Sequence, residues 1–209
     1  MIDHTLLRSD ASAKEIRKLC AEALRFGFKT VCVNPCWVSL SAKLLRGSPV
    51  GVCTVIGFPL GATTTNSKAH EASEAVSNGA HECDAVINIG KLKSRDYAYV
   101  ARELKVLRGV TRGRVLKVII ETALLNRREI VQAAKITKKC GADFVKTSTG
   151  FCLPGATAAD VRLLRKVVGK KMGVKVSGGL RSLADAKRML LAGATRIGTS
   201  HALSMFHSI

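Results

Sequence analysis

The sequence has no apolar run near the ~20 residues that a membrane-spanning helix requires. Its opening, Met1-Ile2-Asp3-His4, lacks the basic start and apolar core of a secretory leader. A soluble protein of the cytoplasm is the expectation. Aromatic residues make up only 4% of the chain, and none interleave with its basic residues, so a base-stacking platform for nucleic acid is not indicated. Acidic residues are short: 15 Asp and Glu face 34 Lys and Arg, for a formal charge of +19. That excess would attract polyanions. The basic residues are spread along the whole chain, however, so they read as coating on helix surfaces rather than as a nucleic-acid site. The seven cysteines form no C-x-x-C pair and no histidine stands at zinc-finger spacing from them. No metal site is expected, and free thiols in apolar stretches fit a reduced compartment.

What is present is a length of 209 residues, 47% hydrophobic, enough for one domain that buries about 70% of its unfolded surface. Short β-branched runs alternate with amphipathic stretches from end to end. The candidate strands are Ile2–Leu7, Thr30–Asn34, Val50–Phe58, Glu82–Ile89, Val115–Thr122, Phe144–Ser148, Val174–Ser177 and Arg196–Ser200. Between the first two, Ile16, Leu19, Cys20, Ala23 and Leu24 recur at helical spacing. Ser12 with Glu15, and Asn126 with Glu129, have the pattern of capping boxes. Glycines that end a helix and lead into a strand recur at Gly27, Gly79, Gly141 and Gly193. Strand–helix alternation implies parallel pairing with right-handed crossovers. Eight strands with polar residues inside them favour a closed (β/α)8 barrel over an open sheet. The chain begins almost at its first strand and has only His201–Ile209 after its last, so the cover of the barrel is expected to be short at both termini.

Three consecutive strands carry a lysine flanked by apolar residues: Lys117, Lys146 and Lys175. An unpaired buried ammonium is costly, so a structural role for all three together is a poor explanation, although any single one could snorkel outward. Crowding and desolvation both disfavour the ammonium form, and a neutral lysine is a nucleophile that forms an imine with a carbonyl. Such a reaction also needs a proton carrier. Asp84, in the apolar strand Glu82-Cys83-Asp84-Ala85-Val86-Ile87, is the best candidate, with structural pairing to a lysine as its alternative role. Polar, glycine-containing ends on the last three strands suggest an anion site: Thr147-Ser148-Thr149-Gly150, Gly178-Gly179 and Gly198-Thr199-Ser200. The histidines (His4, His70, His81, His201, His207) have no metal-ligand spacing and are expected at the surface or in caps. Cys32 and Cys36 bracket Asn34-Pro35 and are expected to pack.

At these residues the chain resembles the deoxyribose-phosphate aldolases. The likeness runs through Ile2-Asp3-His4-Thr5-Leu6-Leu7, Val31-Cys32-Val33-Asn34-Pro35 and Thr54-Val55-Ile56-Gly57-Phe58-Pro59-Leu60-Gly61. It continues in Asp84-Ala85-Val86-Ile87-Asn88-Ile89-Gly90, Leu116-Lys117-Val118-Ile119-Ile120-Glu121-Thr122, Gly141 to Gly150 around Phe144-Val145-Lys146-Thr147-Ser148-Thr149, and Val174-Lys175-Val176-Ser177-Gly178-Gly179. The resemblance implies reversible cleavage of 2-deoxyribose 5-phosphate to glyceraldehyde 3-phosphate and acetaldehyde, without metal or organic cofactor. It implies a Schiff base on Lys146, with Lys175 tuning its pKa and Asp84 joining Lys175 in proton transfer. Phosphate would lie near Thr149, Gly150, Gly178, Gly179, Gly198 and Ser200, with Lys117 and Cys32 in support. The expected partner is the small phosphorylated sugar, and a homodimer is an open possibility. The sequence departs from the family pattern at His201-Ala202, where a serine and a glycine usually stand, and in Phe151-Cys152-Leu153-Pro154-Gly155, which is poorer in glycine. Two other readings fit parts of the sequence: another lysine-imine aldolase such as a transaldolase-like or keto-acid enzyme, and a basic binding protein that has lost turnover.

Overall fold

The computed structural model describes residues 1–152 and 155–205. Each β-branched run forms a strand and each amphipathic stretch a helix packed outside it. The order is β1 (Ile2–Leu6), α1 (Ala13–Phe26), β2 (Thr30–Val33), α2 (Val38–Leu44), β3 (Gly51–Ile56), α3 (Thr65–Ser77), β4 (Glu82–Val86), α4 (Ile89–Lys93) and α5 (Tyr97–Val110). Then come β5 (Val115–Ile119), α6 (Arg127–Lys139), β6 (Phe144–Lys146), α7 (Ala158–Val168), β7 (Gly173–Ser177), α8 (Leu183–Leu191) and β8 (Arg196–Thr199), with 3-10 turns at Pro35–Trp37, Thr122–Leu124 and Leu203–Met205. The eight strands pair in parallel and in sequence order, and β8 closes on β1.

The expected (β/α)8 barrel is therefore the fold, as a single closed unit. Its strands are shorter than the apolar runs at several ends. Ile89 opens α4 and Thr122 opens a 3-10 turn, because the residues beyond each strand leave the ladder to form the mouth. Phe58, Ser148 and Ser200 likewise lie past their strands, as do Leu7 and Asn34, while β7 starts one residue early at Gly173.

Local signals set the boundaries. Ser12 and Asn126 accept from the N–H groups of Glu15 and Glu129, whose side chains return the bond in both capping boxes. Gly27, Gly79, Gly141 and Gly193 all have positive φ, which a side chain rarely tolerates. Helix α1 buries Ile16, Leu19, Cys20 and Ala23 against the outside of the barrel. Fully burying each large apolar side chain contributes roughly 1.5–3 kcal/mol. Strand residues alternate accordingly. Val31, Val33, Val52, Leu116, Val118, Val145, Val174 and Val176 point outward into this apolar shell. The inward set is different in kind: Asp3, Cys32, Cys53, Glu82, Asp84, Lys117, Lys146, Lys175 and Arg196, all buried.

The cysteines are free, and Cys36 is exposed while Cys32 is wholly buried. The packing expected of both holds for Cys32 alone, since Cys36 lies on the surface 3-10 turn rather than in a strand. His4 is also a correction. It is 4% exposed, its Nε2 lies 2.8 Å from Glu22 Oε2, and its ring meets Phe28 at 5.1 Å between centroids. As an outward-pointing strand residue it is covered by α1. His207, Leu153 and Pro154 lie outside the described residues.

Candidate active site

The strand register stacks the inward side chains in levels, each level drawn from alternate strands, as barrels of this kind do. Thr30, Glu82, Phe144 and Arg196 come from even strands at the floor. Asp3, Cys53, Lys117 and Lys175 follow from odd strands, and Cys32, Asp84, Lys146 and Gly198 from even strands above them. Barrel interiors are usually filled with branched apolar residues; here the middle is ionic.

Asp84 is the hub. Its Oδ2 accepts from Lys146 Nζ at 2.8 Å and Lys175 Nζ at 2.6 Å, and its Oδ1 accepts from Lys117 Nζ at 2.8 Å and from Cys53 Sγ at 3.2 Å. Lys175 also pairs with Asp3 at 2.6 Å, and Lys117 with Glu82 at 2.5 Å and Asp3 at 3.9 Å. Arg196 Nη1 reaches Asp3 at 2.7 Å and Glu82 at 3.0 Å. Cys32 meets the Cys53 thiol in this cluster. Burial alone would raise the Asp84 pKa, but Lys117, Lys146 and Lys175 together hold it well below the usual carboxylate range. Burial likewise opposes the charge on Lys175 and Lys117, yet Asp3 and Asp84 around Lys175, and Asp84 foremost around Lys117, keep both well above the ordinary lysine value. Crowding was expected to push these lysines down. The sequence patterns gave no view of Asp3 and Glu82, whose carboxylates reverse the sign.

Above the cluster opens a cavity of about 780 Å³, in the range of small-molecule sites. Lys146 forms its floor, and Thr149, Gly150, Gly178, Gly179, Gly198 and Ser200 all line it, together with His201. Gly150, Gly178 and Gly179 have φ of 91°, 84° and 77°, and a Cβ on Gly198 would lie 3.1 Å from Lys175 Cε. Glycine thus lets the late loops converge and lets Lys175 stand beneath them. The cavity edge is fixed by Glu121, a buried residue at φ 54° whose Oε2 accepts from Thr149 N at 3.0 Å and Thr149 Oγ1 at 2.5 Å. A non-glycine residue in this conformation stores strain of the kind found at functional sites. Lys117, Lys175 and Asp84 do not line the cavity; they lie under Lys146.

Metal is a poor fit for the same cluster. Cys32, Cys53 and Asp84 approach closely enough to share an ion, as do Asp3, Cys53 and Glu82. Both Asp84 oxygens already accept from ammonium groups, and a divalent cation would enter a space where four cations face three carboxylates. The site is built to handle lysines.

A closed barrel with a buried, paired lysine at the base of its mouth has the arrangement that an imine-forming enzyme requires. Family comparison agrees: residues 1–207 match the model of the DeoC/LacD family aldolases, and the chain belongs to that family. It is 54% identical to the deoxyribose-phosphate aldolase of Clostridium perfringens (strain SM101) over 98% of this chain and 92% of that protein. With the deoxyribose-phosphate aldolase of Halalkalibacterium halodurans it shares 56% identity, over 96% and 90%. Among solved structures, the tetrameric deoxyribose phosphate aldolase of Aeropyrum pernix superposes with a TM-score of 0.90 at 35% identity, covering 99% of this chain and 88% of the other. Among the described residues, no helix is long and apolar enough to cross a membrane.

Proposed function

We propose that this aldolase reversibly cleaves 2-deoxy-D-ribose 5-phosphate to D-glyceraldehyde 3-phosphate and acetaldehyde through a Schiff base on Lys146. The observation that carries the reading is the position of Lys146: it alone of the three lysines reaches the cavity, and it has one carboxylate partner where Lys175 has two and Lys117 three. The lysine that borders the cavity is the one a bound carbonyl can reach.

The neutral Lys146 amine attacks C1 of the open-chain aldehyde, and loss of water from the carbinolamine leaves a protonated imine. Lys175 and Lys146 share Asp84 Oδ2, so protons pass between the carbinolamine and Lys175 by way of that oxygen. Removal of the C3 hydroxyl proton sends the C2–C3 bonding pair into the imine, which releases glyceraldehyde 3-phosphate and leaves an enamine. Protonation at C2 and hydrolysis by water free acetaldehyde and restore Lys146. Lys117 supports from below by holding Asp84 Oδ1, and Cys32, level with Lys146, orients Cys53 against the same oxygen. Phosphate sits among Gly150, Gly178, Gly179 and Ser200, which line the cavity at the ends of the late strands, where barrels commonly bind an anion through backbone N–H groups. A homodimer belongs to the same reading, and sedimentation would measure it.

Borohydride reduction in the presence of deoxyribose 5-phosphate tests the central claim. A reduced adduct on Lys146, with turnover of that substrate, is expected. An adduct on Lys117 or Lys175 in the unsubstituted protein would overturn it.

A further inference from the structure

We infer that Arg196, at the floor of the barrel and outside the substrate cavity, is a positioning residue that sets the readiness of Lys146 to react by leaving the buried cluster one positive charge in excess. The inference rests on the proposed role of Lys146 as nucleophile and extends it to residues that touch no substrate.

The charges can be counted from the contacts. Carboxylates are Asp3 on β1 and Glu82 and Asp84 on β4; cations are Lys117 on β5, Lys146 on β6, Lys175 on β7 and Arg196 on β8. With every group ionised, four cations stand against three anions, all of them buried and only Lys146 bordering the cavity. Charge inside a low-dielectric interior is costly unless matched, so the cluster balances when one lysine is neutral. Arg196 does not release its proton, and Lys117 and Lys175 each contact more than one carboxylate. Lys146 is left as the group that gives up the proton. Arg196 thus consumes one equivalent of negative charge through Asp3 and Glu82, which would otherwise serve the lysines. Its hold is well defined: it is 7% exposed, and its guanidinium carbon lies 5.2 Å from the centre of the Phe144 ring.

Two thiols face the cluster from β2 and β3 and move in opposite directions: Cys53 is held well above the ordinary thiol range, by burial first, whereas Cys32 is lowered, by its hydrogen bond with Cys53 first. Both thiols are retained in every variant below, so the comparison between variants turns on the carboxylates, the lysines and Arg196. The α-amino group of Met1 is lowered, by desolvation first and by Arg196 next, and it is common to every variant below.

The test is the pH profile of kcat/KM for deoxyribose 5-phosphate in four variants. Arg196→Met removes the excess, so the alkaline-going rise in activity should move upward by about one pH unit, a loss of about tenfold at pH 7 that recovers at higher pH. Arg196→Lys should keep the original profile. Glu82→Gln raises the excess to two and should move the rise to lower pH. Glu82→Gln/Arg196→Met leaves three cations against two anions and should return the profile to that of the parent. A purely structural Arg196 would instead give the double variant a deeper loss with no return. Coincident profiles for Arg196→Met and parent, or a Glu82→Gln shift in the same direction as Arg196→Met, would overturn the inference. If Arg196→Met does not fold, the direction of the Glu82→Gln shift decides alone. Imine trapping on all folded variants separates the two claims. Trapping at Lys146 with unmoved profiles removes only the charge-balance inference, whereas absence of trapping in the parent removes the proposed function beneath it.

Discussion

Two lysine–carboxylate assemblies are buried in this molecule, and burial has opposite consequences in them. Outside the barrel, Lys68 of α3 and Glu103 of α5 pair at 2.9 Å, both wholly buried, with Val86 O and Asn88 N as further partners and Glu71 acting on Lys68 from the same helix. Here desolvation dominates: it pushes Lys68 down from its ordinary value and Glu103 up from its own. Glu103 Oε2 has no hydrogen-bond partner among the described residues. Inside the barrel the same kind of groups are driven the other way, Asp84 down and Lys117 and Lys175 up, because each meets several opposite charges. A buried lysine is therefore no mark of chemistry in itself. Lys146 differs from Lys68 in having a cavity above it and cations beside it. Lys68 instead ends in packing so close that a Cβ on Gly57, at φ 62°, would sit 2.8 Å from its Cε.

The sharpest way to break this contrast is to neutralise both assemblies and measure turnover. Asp84→Asn should lower kcat by about 10²–10⁴, the usual contribution of a positioned proton-transfer group. Lys68→Met/Glu103→Leu should leave kcat of the folded enzyme within about twofold, since isosteric apolar replacement of a buried pair is often neutral for the fold. Equal losses in steady-state assays would erase the distinction. Stability should separate the halves of the outer pair. Lys68→Met alone strands Glu103 and should cost roughly 3–5 kcal/mol, whereas the double variant should recover most of that in urea unfolding.

The pKa directions give a smaller, signed effect. Asp84 is depressed in the folded protein, so its contribution is present above the ordinary carboxylate range and is lost as pH falls below it. Glu103 is raised, so the folded protein binds its proton first and stability increases as pH falls through the raised value. Acidification should therefore narrow any stability advantage of Lys68→Met/Glu103→Leu over the parent just above the ordinary carboxylate range. An advantage that widens there, followed by thermal unfolding, would show that Glu103 is not penalised by burial.

The same contrast explains what could be read from the sequence. The barrel was legible because inward positions such as Cys32, Lys146 and Lys175 are flanked by β-branched residues and most helices carry a side-chain cap, as at Ser12–Glu15, α2 being the exception. The lysine trio was legible because a charge in an apolar strand stands out. Asp3, Glu82 and Arg196 carry the same signal, but each lies at or beside the start of its strand, where a polar residue is ordinary. Lys68 was illegible for another reason: in a helix of mixed composition a lysine looks exposed, and only the packing of α3 on α5 and β4 buries it. Glu121 hides similarly, since its left-handed backbone is set by the mouth rather than by its neighbours in sequence. Strand ends were overextended wherever apolar residues continued into the mouth.

His201 offers the least effect and the cleanest local test of the cavity rim. It is exposed, lines the cavity, and stands with its Nδ1 3.1 Å from Ser200 Oγ, while its own N–H donates to Thr199 Oγ1 at 3.0 Å. The backbone is thus fixed by Thr199, and the ring bears on Ser200, a residue proposed to meet phosphate. Serine at position 201 would keep the N–H bond and a hydroxyl donor but remove the ring. A hydrogen bond is worth on the order of 1 kcal/mol net, about fivefold in an equilibrium constant. His201→Ser should therefore change KM for deoxyribose 5-phosphate by no more than about fivefold and leave kcat unchanged, because Lys146 and Asp84 lie deeper and do not contact it. A fall in kcat at constant KM would place His201 in the chemical steps and would dissolve the separation between rim and ionic core.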